Sequence, residues 1–254
     1  MLHRFFATPP RRSRLRTASV PSDTRTYVIG DIHGCIDLLR RLHARILADA
    51  QNSRVSRKQI VYLGDYIDRG LESCEVIDFL LDEPLPGFEA IYLRGNHEQA
   101  LLDFLRNVSV GPDWFAYGGD ATLYSYKVSL PTPASDAYTL EQVRAELSAK
   151  LPERHLAFFR GSVLSHREGD YLFVHAGIKP NVPIEEQSHH DLMWIRDEFL
   201  ESDADHGCIV VHGHTIAPRP VMKANRIGID TGAYATGRLS CLKLENDERE
   251  SLAT

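Results

Sequence analysis

No apolar run in the 254 residues approaches 18, so the sequence offers nothing that reads as a membrane-spanning helix. Cysteine is scarce. Cys35, Cys74, Cys208 and Cys241 lie far apart without a CxxC pair, which excludes a disulfide scaffold and a cysteine zinc site and points to reduced thiols in a cytoplasmic setting. Acid is nearly missing from the first 26 residues, where Asp23 stands against six arginines. The remainder holds 23 basic and 34 acidic residues, a formal −11. A body of that sign is a poor match for the phosphates of nucleic acid, and no nucleic-acid partner is expected. It suits a chain that gathers carboxylates around cations. Phe5-Phe6-Ala7 is too short for the apolar core of a secretory signal. Residues 1–25, rich in Arg, Ser, Thr and Pro, read as a disordered basic tail or as an organelle transit peptide. Residues 246–254 read as a polar tail, which leaves a domain over 26–245.

What is present is a repeated pattern. Tyr27-Val28-Ile29, Ile60-Val61-Tyr62-Leu63 and Ala90-Ile91-Tyr92-Leu93 are short runs rich in β-branched and aromatic residues, and a glycine closes or closely follows each. Helical spacing follows every one: residues 37–49 with Leu38, Leu39, Leu42, Ile46 and Leu47, then 73–81, then 98–106. Strand, loop, helix three times over predicts an α/β core with largely parallel strands. Ligands of such sheets gather at the carboxyl ends of the strands, where these glycine loops sit. Residues 107–160, broken by Gly111-Pro112 and by Pro131 and Pro133, read as a mostly helical insertion at the rim, with helices over 140–150 and 152–160. Beyond it come strands over 162–166, 171–175, 208–212, 226–230 and 239–244, the first two joined by a Gly169-Asp170 hairpin turn.

Five blocks carry chemistry. In Gly30-Asp31-Ile32-His33-Gly34 the two polar side chains are two residues apart, so on extended backbone they face one side and can share a cation. Asp65, in Gly64-Asp65-Tyr66-Ile67-Asp68-Arg69-Gly70, offers two carboxylate oxygens, enough to bridge two cations about 3.5–4 Å apart. Arg94-Gly95-Asn96-His97-Glu98 adds an amide oxygen and an imidazole. His175-Ala176-Gly177 and His212-Gly213-His214-Thr215 add histidines at strand ends. Oxygen with imidazole suits Mn, Fe or Zn and not Ca. Each block alone is weak, since Asp, His and Gly are ordinary loop residues. Their joint placement at successive strand ends is not.

The ordered set GDIHG, GDYIDRG, RGNHE, HAG and HGHT resembles the phosphoprotein phosphatase family of calcineurin-like metallophosphoesterases, in its bacterial and phage branch. The resemblance runs from about Thr26 to Leu244. It implies a central β-sandwich of mixed sheets flanked by helices. It implies that Asp31 and His33 bind one metal, that Asp65 bridges, and that Asn96, His175 and His214 bind the second. His97 resembles the general acid, Asp68 its partner and Arg69 a phosphate clamp. Arg196, in Met193-Trp194-Ile195-Arg196, matches a shorter segment that supplies a second phosphate-binding arginine. Gly118-Gly119-Asp120-Ala121-Thr122-Leu123 resembles a rim stretch of the bacterial branch.

The implied activity is hydrolysis of a phosphorylated protein or small phosphomonoester by a hydroxide bridging two divalent cations, Mn2+ first, with Fe or Zn as alternatives. Serine/threonine protein phosphatase is the leading expectation. The alternative is a symmetrical dinucleoside tetraphosphate hydrolase. Asp68 and Glu98 favour the former, because the dinucleotide enzymes typically lack that aspartate. A catalytically dead scaffold is disfavoured, since no ligand and no general acid is lost. Four positions stay open: Cys35 as a packing residue, His212 as support or structure, His189-His190 as solvated, and Tyr234 as a pocket or a turn residue.

Overall fold

The computed structural model of the chain describes residues 17–51, 53–131 and 136–254. Among these, ten strands form two sheets: β1 (Thr24–Ile29), β2 (Arg57–Tyr62), β3 (Glu89–Tyr92), β4 (Ser165–Glu168), β5 (Tyr171–Val174), β6 (Ile209–His212), β7 (Val221–Met222), β8 (Arg226–Gly228), β9 (Ser240–Glu245) and β10 (Glu248–Ala253). The first sheet has the order β10-β9-β1-β2-β3 and the second β4-β5-β6-β8-β7. β1, β2 and β3 run parallel, with Tyr27 opposite Ile60 and Val61 opposite Ile91, while β9 is antiparallel to β1. In the second sheet β5, β6 and β8 are parallel and the edge strands antiparallel. Both sheets are thus mixed.

The alternation of side chains along a strand divides the core. Tyr27, Ile29, Ile60 and Tyr62 face outward into a cluster with α1 (Ile36–Gln51) and α2 (Ser73–Asp82), whose buried Leu39, Leu42, Ile46, Val76 and Ile77 supply the matching stripe. Val28, Val61 and Leu63 face the other way and meet Phe173, Val211 and Ile227 of the second sheet. Each such side chain contributes about 1.5–3 kcal/mol by leaving water. A one-residue slip of β1 would put Val28 under the helices and Tyr27 between the sheets, so the register is strongly specified. The second sheet covers its outer face with α8 (His189–Trp194) and α9 (Asp197–Leu200), which bury Leu192 and Phe199 on Val174 and Val210.

Among the described residues, the segment after α3 (Asn96–Arg106) is mostly helical: α4 (Gly111–Trp114), a π turn at Phe115–Gly119, α5 (Asp120–Ser125), α6 (Ala137–Lys150) and α7 (Glu153–Gly161). It serves two purposes. α4, the π turn and α5 reach the site, whereas α6 and α7 bury Val143, Leu147 and Phe159 in the main core.

Several boundaries differ from expectation, three of them with a structural reason. Thr24 and Arg25 belong to β1, and Ala18 and Val20 are buried ahead of it, tied down by Val20 N–H to the Asn246 carbonyl and Ser19 N–H to Asp170. The tail expected over 1–25 therefore gives way to ordered chain before Thr24; residues 1–16 lie outside the described residues. The polar tail expected over 246–254 contains β10, paired along β9 from Glu248↔Glu245 to Ala253↔Ser240. This strand holds by backbone pairing, by Arg249 to Tyr171 and by Leu252 on the core. An edge strand with so little apolar surface leaves no hydrophobic period to read. Finally, β4 starts at Ser165, three residues later than expected, because Val163 bridges to Leu93 instead.

Candidate active site

The three loops after β1, β2 and β3 are bound to one another before any ligand is considered. Ile32 and His33 donate backbone N–H groups to the Asp65 carbonyl at 3.0 and 2.9 Å, and Gly34 to that of Tyr66. Glu98, at the start of α3, accepts from the N–H groups of Asp65, Tyr66, Ile67 and Gly95 at 2.8–3.3 Å. Burial and the nearby Asp65 push its carboxyl up, to about 7, against the pull of that cradle. Glu98 thus spends its charge on loop geometry. Glycine permits the closest approaches: a Cβ on Gly95 would stand 2.1 Å from Asp65 Oδ1, and one on Gly213 would strike Asp31 Oδ1. Among the described residues, nine other than glycine have positive φ, and five of them are His33, Asp65, Asp68, Arg69 and His214. Left-handed backbone costs roughly 1–3 kcal/mol per residue and collects where surrounding structure enforces it for function.

These loops carry Asp31, His33, Asp65 and Asn96, and the ends of β5 and β6 in the second sheet bring His175 and His214 to them, so that the six expected ligands meet. Asp65 Oδ2 lies 3.5 Å from His33 Nε2 and 3.3 Å from His175 Nε2. Asn96 Oδ1 lies 2.9 Å from His175 Nε2. Asp31 Oδ2 accepts the His214 N–H at 2.9 Å. His33 Nδ1 faces the Ile67 carbonyl at 2.9 Å and His175 Nδ1 the Leu63 carbonyl at 2.8 Å. A carbonyl accepts only, so each Nδ1 carries a proton and each Nε2 is turned inward. There the Nε2 atoms meet carboxylate and amide oxygens. Only a proton or a cation can sit between acceptors so arranged.

The electrostatics agree. Burial raises the Asp31 carboxyl well above its usual range, and Asp230 and Asp65 add to the effect. Asp65 is itself buried, yet His175 and His97 hold it well below. His175 is buried too, but Asp65 and Asp31 drive it up to about 10. Burial takes His33 down to about 3, and burial with His175 takes His214 to about 2. Asp31 Oδ1 and His214 Nε2 are buried without a hydrogen-bond partner. Two triads, His33/Asp65/His97 and Asp65/His175/His214, each place their ligand atoms within 4.8 Å of one another and share Asp65. Orphaned acceptors, crowded carboxylates and inward Nε2 atoms fit a pair of divalent cations.

Beside this cluster stands a second arrangement. His97 Nδ1 is 2.6 Å from Asp68 Oδ2, which also accepts Trp114 Nε1–H at 2.8 Å. Asp68 Oδ1 accepts the Thr122 hydroxyl at 2.5 Å. Burial disfavours the imidazolium of His97, but Asp65 and Asp68 outweigh it and its pKa lies above the usual value. Arg69 and Arg196 line the same pocket of about 310 Å³, together with Tyr117, Trp194 and Ile216.

Sequence reasoning gave no role to Asp230, Trp114 or Thr122 and left Tyr234 open. Asp230 lines the pocket and faces Asp31; its place at the end of a strand, two residues before a glycine, was the available signal. Trp114 and Thr122 brace Asp68 from about 50 residues away; nothing local marks Trp114, and Thr122 lay in the Gly118–Leu123 rim stretch without a role of its own. Tyr234, on a helical turn, contacts Arg69 and packs edge-on against His33 with ring centroids 5.4 Å apart, so it sits on a turn and also touches two residues of the pocket wall. His212 packs edge-on against Phe199 and bonds through Nδ1 to the adjacent Gly213 carbonyl, outside the pocket. Cys35 is half-buried with Sγ on the His33 carbonyl. His189 and His190 are exposed.

Residues 24–247 match the family of calcineurin-like phosphoesterases. The chain belongs to that family. This phosphoesterase is 26% identical over 246 residues to the bis(5'-nucleosyl)-tetraphosphatase PrpE (asymmetrical) of Bacillus thuringiensis, covering 89% of this chain and 92% of that one. Its fold is similar to the crystal structure of a putative diadenosine tetraphosphatase, with TM-score 0.55 and 23% identity over 93% of this chain and 98% of the other. It is also similar to a serine/threonine protein phosphatase from Saccharomyces cerevisiae, with TM-score 0.50 and 15% identity over 91% and 79%. Among the described residues, no helix is long and apolar enough to cross a membrane.

Proposed function

We propose that this chain is a two-metal phosphomonoesterase of the phosphoprotein phosphatase type, with alkyl phosphoesters such as phosphoserine and phosphothreonine as substrates. Asp31 and His33 would hold one divalent cation, Asn96, His175 and His214 the other, and Asp65 would serve both. Mn2+ is the first choice, with Fe or Zn as alternatives. Such cations supply Lewis-acid charge stabilisation and a water nucleophile at neutral pH.

The observation that carries the reading is the His97–Asp68 pair. His97 belongs to one geometric metal triad, but we assign it to proton transfer. Asp68 Oδ2 holds its Nδ1 at 2.6 Å, and its Nε2 stands 3.8 Å from Asp65 Oδ2, farther than that of His33 at 3.5 Å or His175 at 3.3 Å. His33, neutralised by burial, keeps its lone pair. An alkoxide is a poor leaving group and needs a proton, which His97 Nε2–H would donate while Asp68 holds the ring from the other side. Trp114 and Thr122 fix Asp68 in turn. Arg69 and Arg196 would grip phosphoryl oxygens, which neutralises charge and fixes the attack line.

A second reading, asymmetrical hydrolysis of dinucleoside tetraphosphates, is favoured by the names of the Bacillus relatives, which match over most of both chains. Tyr117 and Trp194 at the pocket are suited to an aromatic base. Those names specify asymmetrical cleavage, whereas the sequence alternative was a symmetrical enzyme. The leaving group would then be a nucleotide phosphate that needs little protonation. Steady-state kinetics with Mn2+ on a phosphoserine peptide and on diadenosine tetraphosphate separate the two. A higher kcat/KM on the peptide, strongly dependent on His97, is expected. Preference for the dinucleotide, with AMP and ATP as products, would replace the first reading by the second.

A further inference from the structure

Arg69 is held at three points. Its N–H donates to the Gly118 carbonyl at 3.0 Å, and its stem lies against Gly118, where an added Cβ would stand 2.8 Å from Arg69 Cγ. Its guanidinium lies 4.8 Å from the centre of the Tyr234 ring, and Nη1 donates to the Tyr234 hydroxyl at 2.5 Å. Arg69 Nε is buried and has no partner. A guanidinium has two forked edges, Nη1 with Nη2 and Nε with Nη2. Tyr234 occupies the first through Nη1. The second is left for two oxygens of one phosphoryl group.

The turn that carries Tyr234 is built to hold it still. α10 (Ala233–Thr236) is one helical turn between Gly232 and Gly237, both left-handed at φ 68 and 69. Thr236 Oγ1 donates to the Thr231 carbonyl, Thr231 Oγ1 to that of Arg238, and Asp230 Oδ1 accepts the Gly232 N–H. Tyr234 is 38% exposed, so it is no core anchor.

We propose that Tyr234 is a positioning residue for Arg69: it ties up one edge of the guanidinium and presents the other to the substrate phosphoryl group. The proposal rests on the reading of Arg69 as a phosphate clamp. Losing the hydroxyl lets the guanidinium rotate among its rotamers and spreads its forked edge over orientations that do not meet the phosphate.

The test is a double-mutant cycle on the full chain with Tyr234→Phe, Arg69→Ala and the double variant. It reads KM and kcat on p-nitrophenyl phosphate and calorimetric binding of inorganic phosphate to the Mn2+-loaded protein. Tyr234→Phe is expected to raise KM and weaken phosphate binding by about tenfold, near the lower end for a hydrogen bond to a charged group. Melting temperature and metal content should not change. In the Arg69→Ala background the same substitution should do nothing further. Losses that multiply overturn the proposal, as does a fall in metal content on Tyr234→Phe, which would place the effect on His33. A protein that hydrolyses no phosphoester but binds phosphate in this coupled way would overturn the functional reading and leave Tyr234 in its role.

Discussion

Asp68 and Asp31 are both buried carboxylates on loops of the same sheet, and their surroundings are opposite. Asp68 is completed by the protein. Its oxygens accept from Thr122, Trp114 and His97, and none of its surface is exposed. Asp31 is left incomplete: Oδ2 has one backbone donor, Oδ1 has no partner, and Asp230 presses on it. A buried carboxylate without compensation costs several kcal/mol. The region around Asp68 is therefore satisfied by the protein's own donors. The region around Asp31 is not, and on the proposed reading cations would complete it.

The largest effect that could break this contrast is at the shared ligand. Asp65→Ala should lower kcat/KM by at least about 10⁴-fold, since it removes the one carboxylate common to both triads. Retention of two metals in elemental analysis would refute the arrangement. Next comes His97→Asn, expected to cut kcat by about 10³-fold on phosphoserine and far less on an aryl phosphate. Equal losses on both would remove the proton-transfer role. Asp31→Asn sharpens the contrast directly. In chelated protein it should raise stability by about 2 kcal/mol in urea unfolding, because it deletes an orphaned buried charge, and it should abolish the further gain on adding Mn2+. Trp114→Phe, which takes one donor from Asp68, should cost about tenfold in kcat on alkyl substrates. The effect should vanish when His97 is already Asn.

A histidine outside the site supplies the smallest test. His43 in α1 is buried against Phe79, with Tyr62 Oη 2.9 Å from Nε2. No carboxylate supports it, and burial takes its pKa down to about 4 from an ordinary 6.5. The folded state then binds fewer protons than the unfolded chain between these values. Its contribution is whole above pH 6.5 and is lost as pH falls, by about 1 kcal/mol at pH 5.5. His43→Gln should flatten the acid limb of stability by that amount in urea titrations at pH 7.5 and 5.5. His97, equally buried but flanked by Asp65 and Asp68, shifts the other way.

The strand–loop–helix order of the first half was legible because strand and helix periods are local, and because glycine marks the turns that bring side chains to strand ends. β10 was not legible, since a strand held by backbone pairing needs no apolar pattern. Asp230 was half-legible: its strand was expected, but its proximity to Asp31 arises only when the two sheets meet.

By itself the sequence determined the donor atoms, their order along the chain and the turns that carry them, because each depends on a few neighbouring residues. The tertiary structure alone decided which histidines burial and neighbouring carboxylates push up or down, which carboxylate is satisfied, and which edge of Arg69 Tyr234 occupies. Those properties come from burial and from partners such as Trp114, Thr122 and Tyr234, tens to more than a hundred residues away. In a weakly polar interior, a group's neighbours in space set its proton and its hydrogen bonds.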